Sequence, residues 1–320
     1  MVAMMVAATS FAQETVVASL SHEGETTMFY GLTALVKAAE KAQSGDIISL
    51  SRGIFNSTTI KAAITLRGAG IDSDDPTYLN GILGIEIPTE DANRFTMEGI
   101  ICNNEMYMTG TFSSPPQIVK CKLNSGFTTK TKSDNIDILV VNCKVIGHFN
   151  VGGICRASLI NSYVDGVTHY DNAHFMGLNC VLFKNAMGNL NNSVWKNCIF
   201  ATSNHSDAAL PTDCECTNCV GVDYNNNPFR DLKIKPGCSN TTYAEAFKDF
   251  TGTYTDELTF ELSDAAKANE NFKGTDGTEV GLYGGPQPFN LILSYPLISK
   301  MEVGEKTDDK GQLEVTIGVK

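Results

Sequence analysis

The chain repeats a short pattern: an apolar residue, a polar residue, a Cys or Ser, any residue, and a second apolar residue. Successive Cys or Ser positions are 18–22 residues apart between Cys102 and Cys219. A period near 20 with short alternating segments is typical of a solenoid, in which each repeat stacks on its neighbours. The clearest copies are VKCKL (119–123), VNCKV (141–145), INSYV (160–164), LNCVL (178–182) and KNCIF (196–200).

Each copy alternates with a period of two, which predicts one short β-strand whose first, third and fifth side chains face a core. A lone strand of this length cannot bury that face, but strands stacked roughly 4.8 Å apart can. The repeat is shorter than helical repeats of about 33–47 residues. We therefore expect an all-β fold, a right-handed single-stranded parallel β-helix over residues 25–225.

The segments outside the repeats predict a cap and two further regions. Apolar residues at helical spacing in 31–43 predict an amphipathic helix that closes the N-terminal end of the coil. Residues 226–290 lose the period and predict an irregular C-terminal end of the β-helix, followed by a small β appendage, a strand tail, at 291–320. An apolar run makes 1–12 similar to the remnant of a secretory signal peptide. An ordinary apolar N-terminus stays open, because no basic residue precedes Lys37.

The N-terminal region resembles the start of the pectate-lyase-like right-handed β-helix superfamily. The Gly-rich segment 274–289 resembles the ends of secreted bacterial β-helix proteins of unassigned activity. The resemblance implies the fold and leaves a range of functions, from polysaccharide lyases and glycoside hydrolases to adhesins. The N-terminal marks are the helix, Gly45-Asp46, the strand from Ile47 to Leu50, Gly53 with Phe55, and the strand from Ile64 to Gly70.

Composition limits the partners of this protein. The chain has 24 Lys and Arg against 36 Asp and Glu, a formal net charge of −12. No basic cluster suggests binding to nucleic acid, and the negative charge disfavours anionic membranes. No run of about 18 apolar residues predicts a membrane span. We expect an exported protein, located in the periplasm, at the cell surface or outside the cell.

The ten cysteines of an exported chain would suggest disulfides. The repeat instead places most of them in one inward register, where stacked positions lie about 4.8 Å apart and disulfide Cβ atoms about 3.8 Å apart. We predict reduced, buried thiols that act as small hydrophobes, with Ser162 in the same register. A disulfide among Cys214, Cys216 and Cys238, or one involving Cys155, stays open, and no metal site is expected.

The asparagines that precede the repeated Cys or Ser are expected to face outward, one per turn. Such a row forms either an amide ladder along the coil or a polar strip that binds a sugar chain. Two histidines just past the strands extend the strip. The candidate substrate-binding residues are Asn142, Asn161, Asn179, Asn197, His148 and His205.

Titratable side chains past the third repeat are the candidates for catalysis. Asp165, His169, Asp171 and His174 would form an acid–base set if the turns bring them together, although residues 169–174 also fit a solvated loop. The carboxylate patterns of calcium-dependent lyases and of pectin hydrolases are not visible.

We therefore expect a protein that contacts polysaccharide without catalysis and without a cofactor. One alternative is a polysaccharide lyase or glycoside hydrolase acting on an acidic or a plant or host glycan, with calcium in the case of a lyase. Another alternative is a structural, adhesin-like surface protein.

Overall fold

The protein is a right-handed parallel β-helix of about eight turns. The all-β solenoid that the period predicts is therefore confirmed. This computed structural model describes residues 16–71, 76–129, 135–153, 155–169, 173–183, 190–202, 207–249, 255, 259–295, 298–307 and 313–319.

Three sheets form the walls of the coil. Sheet A contains, in spatial order, β2 (Glu25–Tyr30), β1 (Val17–His22), β3 (Ile47–Leu50), β6 (Thr65–Arg67), β9 (Thr96–Glu98), β12 (Gln117–Val119), β15 (Asp137–Val141), β17 (Arg156–Ile160), β19 (His174–Leu178), β21 (Val194–Lys196) and β23 (Glu215–Thr217). Sheet B contains β4 (Gly53–Asn56), β7 (Thr77–Asn80), β10 (Ile101–Cys102), β13 (Lys122–Leu123), β16 (Lys144–Val151), β18 (Tyr163–His169), β20 (Val181–Phe183), β22 (Ile199–Ala201), β24 (Val220–Val222) and β25 (Ser239–Thr241). Sheet C contains β5 (Thr59–Ile60), β8 (Leu83–Ile85), β11 (Met106–Met108) and β14 (Phe127–Thr129), and it joins sheet B at β16.

The N-terminal end of the coil is closed by a hairpin and a helix. Strand β1 pairs antiparallel with β2 and with β3. Helix α1 (Ala34–Lys41) lies within the predicted segment and buries Ala34, Leu35 and Ala38. The helix contacts β1, β2, β3 and β4, so it covers the first turn as a cap.

The C-terminal region packs on the outer face of sheet B. It contains α2 (Tyr243–Ala246), α3 (Asp264–Ala268) and a 3₁₀ helix (Glu270–Phe272). Their apolar side chains and the outward residues of β18, β20, β22 and β24 form a second core outside the coil. Strands β26 (Ile298–Thr307) and β27 (Leu313–Val319) form a separate antiparallel hairpin.

Each copy of the repeat spans a corner of the coil, which corrects the interpretation as a single strand. In VNCKV, Val141 ends β15, Asn142 has a φ of 53°, and Cys143 precedes β16. This left-handed residue turns the chain from sheet A into sheet B, and Asn tolerates that conformation better than most residues. The other corner residues with positive φ are Gly99, Lys120, Asn161, Asn179, Asn197, Asn218 and Gly237.

The ladder of Cys and Ser side chains closes each corner with hydrogen bonds. The Cys143 Sγ donates to the carbonyl of Val141 at 3.3 Å and accepts the N–H of Cys121 at 3.4 Å. Ser162 donates to the carbonyl of Ile160 at 2.8 Å and accepts the N–H of Cys143 at 3.1 Å. Burial raises the pKa of the Cys143 thiol to about 12, so the thiol keeps its proton for donation. The position thus selects a small side chain that both donates and accepts, rather than a small hydrophobe.

The register of sheet B changes the membership of this ladder at both ends. Cys102 pairs with Leu123 and so lies two residues beyond the ladder, in which Ile100 takes its place. At the C-terminal end, Cys238 stacks on Cys219 and is the final member. None of the ten cysteines is in a disulfide, and all except Cys238 are buried.

Aromatic rings fill part of the coil interior. Phe127, Phe149, Phe175 and Trp195 follow one another from turn to turn, with centroid distances of 4.6, 6.1 and 6.2 Å. A Cβ atom at Gly177 would lie 2.0 Å from the Trp195 ring. The glycine of this turn therefore makes room for the single tryptophan of the next.

The ladder of Cys and Ser side chains predicts different effects on stability for two substitutions of Ser162. Ser162→Cys should leave the free energy of unfolding nearly unchanged, because Cys makes the same two bonds at neighbouring positions. Ser162→Ala should lower it by about 1–3 kcal/mol, since the buried N–H of Cys143 loses its acceptor. Denaturant unfolding of both variants measures the difference, and equal losses would contradict the hydrogen-bonding role.

The pair of His22 and Asp46 at the N-terminal end predicts a pH-dependent stability. The protonated His22 Nδ1 donates a hydrogen bond to the Asp46 carboxylate at 2.7 Å, and this bond raises the pKa of the histidine. A raised folded-state pKa stabilises the fold fully below about pH 6.5, and this contribution is lost as the pH rises through the folded-state pKa. His22→Gln should lower the thermal midpoint near pH 5.5 but hardly near pH 8.5. An equal decrease at both pH values would refute this linkage.

Candidate functional site

The asparagines expected to face solvent are instead buried at the corners. Asn142, Asn161, Asn179 and Asn197 expose 4%, 2%, 0% and 1% of their surface. A left-handed corner residue does not continue the pleat of either strand, so strand alternation does not give its direction. The predicted exposure of this row to solvent is therefore wrong, because another segment of the chain covers the side chains.

A C-terminal segment, residues 272–295, runs back along these corners and is called the strap below. The Asn161 Nδ2 donates to two strap carbonyls, at 2.7 and 2.9 Å. The Asn197 Oδ1 accepts the N–H of Thr275 at 3.0 Å, and the Asn218 Nδ2 donates to the carbonyl of Lys273 at 2.9 Å. The corner amides thus bind the protein's own chain, and a sugar chain reaches them only if the strap is displaced.

The strap ends on a polar cluster beside the N-terminal turns. Glu98, which is 7% exposed, accepts the N–H and the hydroxyl of Ser294 at 2.9 and 2.7 Å. The Tyr295 hydroxyl donates to the carbonyl of Gly68 at 2.7 Å, and the Arg67 guanidinium lies 4.8 Å from the Tyr295 ring centroid. These contacts fix the end of the strap several turns away from its start.

The structure places two of the four catalytic candidates, and these two lie on different sheets. Asp165 is buried on β18 of sheet B and accepts a hydrogen bond from the Tyr163 hydroxyl. His174 begins β19 of sheet A, and its Nδ1 is buried with no partner among the described residues. The side chain of His169 and all of Asp171 lie outside the described part of the chain.

Of the two histidines of the predicted binding strip, the structure describes only His148. His148 is exposed on β16, and its ring packs over Gly166 in the next turn. His205 lies outside the described residues.

The described ranges contain neither a metal-binding cluster nor a membrane-spanning helix. Within them, no group of three or more His, Cys, Asp or Glu residues is arranged to hold a metal ion. No described helix has the length and apolar character needed to cross a membrane.

An amide ladder is present at a different corner, where sheet B turns into sheet C. The Asn103 Nδ2 donates to the Asn80 Oδ1 at 2.6 Å, and the Asn124 Nδ2 donates to the Asn103 Oδ1 at 3.1 Å. Asn56 stands in register with Asn80 one turn earlier. Asn80 is exposed, while Asn103 and Asn124 are half-buried, so the row forms part of the protein surface.

The sequence carries a weak signal for this ladder. Asn56 and Asn80 end strands of sheet B, whereas Asn103 and Asn124 directly follow such strands. Their steps of 21–24 residues match the turns of the coil. The stronger repeat around the cysteines predicts the ladder at another row of asparagines. That row lies at left-handed corners, and a sequence pattern does not show the backbone φ that distinguishes a corner from a strand.

Comparisons with protein families, with curated proteins and with solved structures find no match to this chain. The site is therefore interpreted from its own geometry.

Substitutions of the corner asparagines are expected to lower the free energy of unfolding by different amounts. Asn161→Gly should lower the free energy of unfolding by about 1–3 kcal/mol, because two bonds to the strap are lost. Asn161→Ala should cost about 1–2 kcal/mol more, since alanine is strained at positive φ. Asn142→Gly is the matched control, because its side chain makes no hydrogen bond within the described residues. Equal effects of Asn161→Gly and Asn142→Gly in denaturant unfolding would contradict a stabilising role of the strap bonds.

Proposed function

We propose that this is an exported β-helix protein, related to pectate-lyase-like proteins, that binds a polysaccharide along its exposed amide ladder without cleaving it. The ladder formed by Asn80, Asn103 and Asn124 is the observation that carries the proposal. The apolar run at 1–12 supports export as part of the same proposal.

The ladder amides suit the hydroxyl groups of sugars. Each amide has two donor protons and an oxygen with two lone pairs, and the ladder bonds of Asn103 use one proton and one lone pair. The remaining donor and acceptor capacity faces an extended strip along the coil. Because the ladder bonds already fix these side chains, a ligand orders few of them on binding, which lowers the entropic cost.

The geometry of the strip favours a polymer over a small molecule. Successive rungs belong to successive turns, so they repeat along the coil axis at roughly 4.8 Å. Tyr78 lies two residues before Asn80 on the same strand, so its half-buried ring lies on the same side as the ladder. An amphipathic ring beside hydrogen-bonding amides can contact the apolar face of a sugar while its hydroxyls bind the amides.

The chemistry of the ladder supports binding rather than cleavage. Glycoside hydrolysis uses two carboxyl groups placed on either side of the scissile bond. Amides do not titrate and cannot transfer the proton that such a reaction requires. Neutral amides also provide no charge that would select an acidic polymer.

Asn103 is the position that tests this function. Asn103→Ala removes both ladder bonds, and we expect roughly tenfold weaker binding to a neutral polysaccharide such as xylan, glucomannan or soluble cellulose. Affinity gel electrophoresis measures the retardation, and analysis of the supernatant for released oligosaccharides checks that no cleavage occurs. Asn226→Ala is the control, since Asn226 is exposed, makes one side-chain bond to Asp207, and lies off the ladder.

Two results would overturn the proposal. One is wild-type protein that is retarded by none of a panel of neutral and acidic polysaccharides. The other is an Asn103→Ala protein that binds as tightly as the Asn226→Ala control.

A further inference from the structure

The outer face of sheet B changes from apolar to polar at its last strand, β25. Along most of the second core, its outward columns are apolar and pack against the C-terminal region. The final rung, on β25, carries hydroxyl groups instead. One column runs Val181, Ile199, Val220 and Ser239, and the next runs Phe183, Ala201, Val222 and Thr241.

A cavity of about 350 Å³ lies beside the hydroxyl groups of Ser239 and Thr241 on β25. It lies between β25, α2, α3 and the 3₁₀ helix, with Ala266 and Phe272 as its apolar part. This volume is at the small end of the roughly 300–1,000 Å³ typical of ligand sites, which fits one or two sugar units. The polar lining consists of Ser239, Asn240, Thr241, Glu245, Asn269 and Asn271.

One of these polar groups, the hydroxyl of Ser239, has unused hydrogen-bonding capacity. The Ser239 Oγ is buried and has no partner within the described residues. The Asn269 Oδ1 accepts the backbone N–H of Asn271 at 2.9 Å, which orients the loop beside the cavity. A buried hydroxyl without a partner costs free energy that a bound ligand can recover. This orphan hydroxyl is an observation independent of the cavity itself.

Glu245 sets the charge of the cavity. One carboxylate oxygen accepts hydrogen bonds from the Thr241 hydroxyl and the Thr242 N–H. These bonds lower the pKa of Glu245, so it is ionised at neutral pH. No Lys, Arg or His is among the described residues that line the cavity. An anionic ligand would therefore meet a carboxylate without a compensating cation, whereas a neutral or cationic ligand with hydrogen-bond donors is favoured.

We infer that this cavity binds the terminal unit of a neutral or amino-sugar glycan and excludes uronic acids. The choice of a glycan rests on the proposed function, whereas the site itself rests on the cavity and the orphan Ser239 hydroxyl. The amide ladder lies on the N-terminal turns and the cavity lies on the last turn. The amide ladder contacts the length of the glycan chain, and the cavity binds its terminal unit.

Isothermal titration calorimetry with glucose, galactose, glucosamine and glucuronate tests the inference. We expect wild-type protein to bind at least one of the first three sugars, and glucuronate at least about tenfold more weakly. Ser239→Val continues the apolar column of Val220, so it should preserve folding and abolish binding of the sugar. Asn271→Ala provides a second loss of contact from a different element. Ser158→Val, on the outer face of sheet A between Leu139 and Met176, is the matched control.

The two proposals fail in different ways. Sugar binding that survives both Ser239→Val and Asn271→Ala, or binding of glucuronate as tight as that of glucose, overturns the cavity inference. So does a wild-type protein that binds none of the four sugars. Loss of polysaccharide binding in Asn103→Ala with unchanged binding of the single sugar supports two separate sites. Single-sugar binding by a protein that no polysaccharide retards overturns the ladder proposal and leaves the cavity standing.

Discussion

The structure depends on one backbone constraint that recurs from turn to turn between Gly99 and Gly237, a left-handed residue at the corner between sheets A and B. Asn supplies that residue in most turns, and a Cys or Ser follows it to close the corner by hydrogen bonding. The repeat of the sequence is thus a repeat of corners. Stacking these corners brings the buried amides into one row, and that row is the surface on which the strap docks.

The sequence predicts the coil well because its period is the number of residues in one turn, and successive turns stack only if their lengths are similar. It predicts the cap helix for a similar reason, since helical spacing of apolar residues has one interpretation over residues 34–41. It does not predict the corner, because a polar residue between apolar ones fits a continuous strand as well as a left-handed turn. Whether Asn161 faces water or the strap depends on contacts more than a hundred residues away.

Other misses have equally local causes. The hairpin of β1 and β2 is not among the predicted elements, although its turn at Glu23 and Gly24 has positive φ at both residues, as two-residue hairpins prefer. The exposed amide ladder consists of asparagines other than those of the predicted row, and Cys102 lies in a different column from the one that its spacing predicts. For the ladder and for Cys102, the period gives the correct spacing between turns. The register between neighbouring turns decides which residue occupies each position.

The strap also changes how the array behaves as a whole. In an ordinary solenoid each repeat contacts only its neighbours, so an end can fray while the middle stays folded. Here the segment that starts beside Asn218 ends beside Glu98 and Gly68, with contacts between residues as many as 227 positions apart. Peeling turns from either end must also release part of this segment, so the coil resists unravelling one turn at a time. During synthesis, the buried corner amides wait for partners that leave the ribosome up to 123 residues later, and the coil reaches its final stability only after the strap has been made.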